Sequence, residues 1–173
     1  MKNLTLIVLL SCSFATPASW SADFNKGVTA YQAGNYKAAL AEWRPLAQAG
    51  NARAQNFLGF MYDNGEGVLE DDLEAVKWYR LAAEQGNPKA QYGLGVMFAN
   101  GEGVTQSNVY AHMWWNIAAS NGDRQANENK AVIASQMTAQ ELSNAQSLAR
   151  ACVSKSYKNC YKKRSSTNTK KST

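Results

Sequence analysis

"LGFMYDNGEGV" (Leu58 to Val68) is followed 36 positions later by "LGVMFANGEGV" (Leu94 to Val104). Aligned without a gap, residues 50–85 and 86–121 share sixteen identities. Near-copies at a fixed offset of roughly 20 to 50 residues mark stacked supersecondary units, each too small to bury its apolar face alone. The duplicated stretch is therefore first an instruction about architecture.

Each unit has the pattern of two helices. From Asn51, the residues Ala54, Leu58, Met61 and Tyr62 recur at spacings of three and four, the stripe of an amphipathic helix. Asn64, Gly65 and Gly67 end that helix, since Asn and Gly tolerate the left-handed backbone of a helix terminus. A second helix is predicted from about Asp71, with Ala75, Trp78, Tyr79 and Ala82 on one face, closed by Gln85-Gly86-Asn87. Small residues kept in both copies mark close helix crossings, and the large ones fill the space between crossings. The expected packing set is Ala54, Leu58, Gly59, Ala75, Trp78 and Ala82, with Ala90, Leu94, Gly95, Ala111, Trp114 and Ala118 in the second copy.

Leu58-Gly59-x-x-Tyr62 followed by Ala75-x-x-x-Tyr79 is similar to the tetratricopeptide pattern, with two departures. Gln55 stands where that family has Trp, and Gly59 and Ala75 lie 16 residues apart where it has about 12. A 36-residue unit of the form A-Q-x-x-L-G-x-M-Y-x-N-G-E-G-V, then A-x-x-W-Y-x-x-A-A-x-x-G-N, resembles the Sel1-like repeat family. The resemblance covers residues 51–127. It implies an all-α, right-handed superhelix (a solenoid) of antiparallel helix pairs, and a non-enzymatic protein-interaction module. Some cysteine-rich exported relatives are described as penicillin-binding or hydrolysing, with a disulfide in each repeat. The repeats here contain no cysteine, which argues against a cell-wall hydrolase.

The flanks complete the expected plan. Residues 23–49 contain Gly27, Tyr31, Gly34, Tyr36, Ala39 and Trp43 in a shorter hairpin of tetratricopeptide-like spacing. Residues 50–122 hold the two Sel1-like repeats, and residues 123–152 two capping helices, the second opened by the capping box Thr138 to Glu141. Residues 153–173 form a basic tail, and its end, KKRSSTNTKKST, lacks the apolar content for a fold. Residues 1–22 have the form of a secretory signal: Lys2, an apolar run from Leu4 to Leu10, then small residues. Cuts after Ala18 or Ser21 fit equally, whereas a cut after Ala22 is disfavoured by Trp20. Leu9-Leu10-Ser11-Cys12 offers a second route, acylation of Cys12. The expected destination is the bacterial periplasm or the exterior. In such an oxidising compartment Cys152 and Cys160 suit a disulfide tethering the root of the tail, with two free thiols as the alternative.

Charge is segregated. Residues 23–152 hold ten Lys and Arg against thirteen Asp and Glu, whereas residues 153–173 hold seven basic side chains and no acid. A nucleic-acid-binding domain carries its basic stripe on the folded part, so no specific nucleic acid is expected. The tail suits an anionic envelope polymer or a purely solubilising role.

Catalytic and metal chemistry find little support. The only histidine, His112, aligns with Val76 on a packing helix, with no nucleophile at a suggestive spacing. The acidic turn from Asp63 to Asp72 lacks the ligand order of a calcium loop, and its sister turn has lost most of the carboxylates. NGEGV has neither the lysine nor the preceding strand of a phosphate loop. No catalytic residue, metal or cofactor is assigned. What remains is a surface. In helix-pair arrays the first helices line the concave face, and positions that differ between copies can recognise a partner. Those residues are Arg53, Asn56, Phe60 and Asp63 on one helix, and Lys89, Tyr92 and Val96 on the next. A protein or peptide is the expected partner, with Arg53 and Lys89 meeting an acid and Phe60 and Tyr92 as apolar anchors. The alternative assigns the two rings to the inter-helix core and leaves the two charges simply solvated.

Overall fold

The computed structural model describes residues 22–161, so the signal, its cleavage, Cys12 and the tail from Lys162 lie outside the described residues. Eight helices follow in order: α1 (Phe24–Gln32), α2 (Tyr36–Gln48), α3 (Ala52–Asp63), α4 (Asp72–Ala83), α5 (Pro88–Asn100), α6 (Asn108–Ser120), α7 (Arg124–Ala134) and α8 (Ala139–Ser154). Helices α1 and α2, α3 and α4, and α5 and α6 pair with each other, and each pair stacks on the next through α2 on α3 and α4 on α5. Helices α7 and α8 both pack on α6 and barely meet one another. Among the described residues every element is an α-helix, and the first six form three sequential pairs.

Three units start in the same way. Asn51, Asn87 and Asp123 cap α3, α5 and α7, each accepting a hydrogen bond from the backbone N–H of Ala54, Ala90 or Ala126. Such caps satisfy helix-end donors that have no partner within the helix. The residue before each cap, Gly50, Gly86 or Gly122, has φ of +95°, +83° or +94°, which a Cβ would oppose. Thr138 and Glu141 form the predicted capping box at α8.

The duplicated eleven residues build a helix and then a seat for it. In each copy the turn returns two backbone N–H groups to the helix it has just left. Glu66 and Glu102 donate to Met61 and Met97, while Asp71 and Ser107 donate to Tyr62 and Phe98. The second glycine of the turn then lies flat on the preceding pair. A Cβ at Gly67 would stand 2.7 Å from the Cβ of Tyr36, at the start of α2, and one at Gly103 would collide with the carbonyl of Asp72, at the start of α4. The turn is thus also an inter-unit contact.

Within each pair a glycine of the first helix faces an aromatic ring of the second: Gly27 and Trp43, Gly59 and Tyr79, Gly95 and Trp115. The two indoles add a hydrogen bond, Trp43 Nε1 to the Phe24 carbonyl at 3.1 Å and Trp115 Nε1 to the Tyr92 carbonyl at 3.2 Å. In both, the acceptor lies three residues before the glycine. The first hairpin therefore obeys the same packing rule as the two repeats, despite its shorter turn. A Cβ at Gly59 would come within 2.6 Å of the Tyr79 ring. Gly59→Ala is accordingly expected to destabilise by about 1–3 kcal/mol through overpacking, read as a lower urea midpoint at unchanged slope.

The expected packing residues Ala54, Leu58, Gly59, Ala75, Ala82, Ala90, Leu94, Gly95, Ala111, Trp114 and Ala118 are all buried. Trp78 is the exception, half-buried where its repeat partner Trp114 is fully enclosed. The folded chain also continues past Cys152, the expected end of the capping region: α8 runs to Ser154, and beyond it Tyr157, Cys160 and Tyr161 pack against the core. Cys152 and Cys160 form a disulfide, with Cα atoms 4.9 Å apart. Beyond it Tyr161 packs edge-on against Phe98 and Trp114, at centroid distances of 5.0 and 6.2 Å.

Candidate functional site

Between α3 and α5 runs a groove of about 560 Å³. The repeat makes it. Equivalent faces of two parallel helices are held one unit apart, and Tyr79 of α4 rises between them to form the floor. Room for its ring exists because Gly59 and Gly93 flank it, and a Cβ at Gly93 would lie 2.9 Å from Tyr79 Cζ. The Tyr79 hydroxyl donates to Asp63 Oδ2 at 3.1 Å. Desolvation raises the Tyr79 pKa, and Asp63 raises it further.

The seven positions singled out from the sequence, Arg53, Asn56, Phe60, Asp63, Lys89, Tyr92 and Val96, all line this groove. Phe57, Asn64, Asn87 and Gln125 complete the wall, the last from α7. Phe60 is 40% exposed, and Tyr92 is half-buried with its hydroxyl accepting from Asn129 at 3.4 Å. Phe57 stacks on Trp43 with centroids 4.3 Å apart, so one groove wall is anchored in the core of the first pair.

The two cations are not equivalent. Lys89 Nζ lies 3.0 Å from Oδ2 of Asp123, whose side chain is wholly buried. Arg53 has its guanidinium 4.2 Å over the Phe24 ring, a cation–π contact that leaves its charge open to the groove. At the far end, burial is the main cause holding the Asp63 carboxyl above the usual carboxylate range. The Tyr79 hydroxyl opposes this, and nearby Glu102, Asp72 and Glu70 add to it.

Two residues outside the expected set hold the units in register. Buried Gln55 donates to the Ala47 carbonyl at 2.9 Å, and buried Gln91 to the Ala83 carbonyl at 3.2 Å. Each thereby adds a second hydrogen bond to a carbonyl at the end of the preceding pair, which already accepts from Gly50 or Gly86. Their side-chain oxygens accept from Gln85 at 2.7 Å and Asn121 at 2.8 Å. The signal was present in the sequence as the repeated Ala-Gln, at the place where a tetratricopeptide unit has Trp.

His112 is buried, 3% exposed, and its Nδ1 finds no hydrogen-bond partner among the described residues. Burial, and then the charge of Lys130, hold its pKa below 6.5. Above that value both folded and unfolded chains are neutral here. As pH falls through about 6.5 the unfolded chain takes up a proton that the folded chain resists, so stability declines until the folded value is passed. His112→Val, which copies Val76 of the first repeat, is expected to flatten the thermal-midpoint profile between about pH 7 and 5 relative to the unaltered chain.

This geometry is that of a short helix-pair repeat array with a lined concave groove. Residues 52–87 and 88–123 each match the family model of the Sel1 repeat, so the chain carries two Sel1 repeats. The chain is 29% identical to a protective antigen present in uropathogenic Escherichia coli strains, which has an SLR fold. That similarity covers 84% of this chain and 33% of the antigen, with a TM-score of 0.72. A Sel1 repeat protein from Oxalobacter formigenes is 32% identical over 64% of this chain and 46% of its own, with a TM-score of 0.61. The chain thus spans a third of the first relative and just under half of the second. A comparison with curated proteins finds no match. Sel1 repeats generally mediate protein interactions and are typically non-catalytic. The disulfide points to an oxidising, extracytoplasmic setting.

Proposed function

We propose that the protein is a non-enzymatic adaptor, exported to the periplasm, that binds a segment of a partner protein in the α3–α5 groove. The observation that carries this reading is the convergence of Arg53, Phe60, Asp63, Lys89 and Tyr92 on one concave surface. These positions vary between two copies whose packing residues are the same. Partly exposed rings beside charged groups suit a partner whose apolar side chains are buried within a polar rim.

The test is affinity capture after in-cell cross-linking, with three proteins compared. The unaltered chain and a chain ending at Tyr161 should retain the same partner. An Arg53→Glu, Phe60→Asp double variant of unchanged helicity should lose it, since both side chains are exposed to the groove. Lys89 is left alone because its removal would strand buried Asp123. A second reading, tethering to an anionic envelope polymer, draws on the acid-free basic stretch from residue 153. On that reading the shortened chain loses its partner, the groove variant keeps it, and moderate salt releases it.

A further inference from the structure

We infer that the groove is polarised along its length and takes an extended protein segment with an acidic side chain at one end and a lysine or arginine at the other. This rests on the groove being the binding face. Arg53 is the second residue of α3 and Lys89 the second of α5, so both cations stand at helix N-termini, where the helix dipole adds positive potential. Arg53 carries the anion end, because Lys89 is already paired with Asp123, while among the described residues Arg53 pairs with no carboxylate. Asp63 is the last residue of α3, and its neighbours Glu70, Asp72 and Glu102 make that end negative in excess. A cationic donor there relieves the repulsion among these acids and leaves the Tyr79 hydrogen bond in place.

The spacing sets the register. Ten residues of helix separate Arg53 from Asp63, about 15 Å at the helical rise. An extended chain covers that distance in about five residues. Between the ends Phe57, Phe60, Tyr92 and Val96 present an apolar stretch that suits one large side chain at the middle of the segment. Two like charges at that spacing would set one of them against its own sign.

The probes are end-blocked synthetic hexapeptides labelled with fluorescein: Lys-Ser-Ser-Phe-Ser-Glu, the same sequence reversed, and versions with Lys at both ends, Glu at both ends, or Gln replacing either charge. Fluorescence anisotropy at low salt reads their affinities. One of the two oppositely charged orders should bind roughly tenfold tighter than either like-charged peptide. Arg53→Gln should erase the preference for Glu over Gln, and Asp63→Asn the preference for Lys over Gln. Equal binding of all peptides, preferences unchanged in both variants, or no binding up to millimolar peptide would each overturn the polarity. If the groove variant nonetheless loses its partner in cells, the binding face stands and only the polarity fails.

Discussion

Trp114→Ala lowers the unfolding free energy by about 3–5 kcal/mol, the expected loss for a fully buried indole. Trp78→Ala, at the equivalent place in the first repeat, costs clearly less. The difference arises from what covers each ring. Trp114 is wholly enclosed, with Tyr161 edge-on at 6.2 Å. Trp78 is half-buried, and the Lys77 ammonium lies 5.6 Å from its ring centroid at the surface. Neither indole N–H has a hydrogen-bond partner among the described residues, so each substitution reports packing rather than a lost bond. Urea unfolding of both variants measures the pair. Equal losses would mean that the segment after α8 does not cover the second repeat.

Loss of the Cys152–Cys160 disulfide, by serine substitution at both positions or by reduction, costs about 2–3 kcal/mol in the loop-entropy account. The bond closes a loop over a sequence separation of eight. That loop is the strap over the second repeat. Tyr157 and Asn121 share hydrogen bonds at 3.3 Å, and Lys158 approaches Glu84 at 3.8 Å. Ser156, Tyr157 and Asn159 all hold positive φ, a backbone state that non-glycine residues adopt at a cost and that surrounding contacts must sustain. Opening the disulfide releases this stretch and withdraws Tyr161 from Trp114. Reduction should therefore lower the thermal midpoint and change tryptophan emission together. An unchanged midpoint, or a lower one with unchanged emission, would show that the strap does not depend on the bond.

Much of this was legible because the repeat supplies its own control. The packing residues were chosen among positions that stay the same across 36 residues, and all of them but Trp78 are buried. The variable positions of the first helix were legible as one surface for the complementary reason, and they line one groove. Pairwise choices were harder to read. Trp78 and Trp114 are identical letters, yet the ring that fills the glycine notch is the next residue, Tyr79 or Trp115. Only the direction of the side chain across the helix pair decides between neighbours. The unequal cations escaped notice because Asp123 lies 34 residues from Lys89 and had a sufficient local role as a helix cap. The strap was hidden by composition, since Lys155 and Lys158 made residues 153–161 look like the tail that follows, while Tyr157 and Tyr161 pack.

The binding face is tested most directly by photo-cross-linking in cells from single positions. A photo-reactive phenylalanine analogue is placed at Phe60, at Tyr92, and at Leu69, which is 90% exposed on the turn away from the groove. The expected result is one protein captured from both Phe60 and Tyr92 and absent from Leu69. Capture from Leu69 with none from Phe60 or Tyr92 would contradict the account and move the partner to the turns.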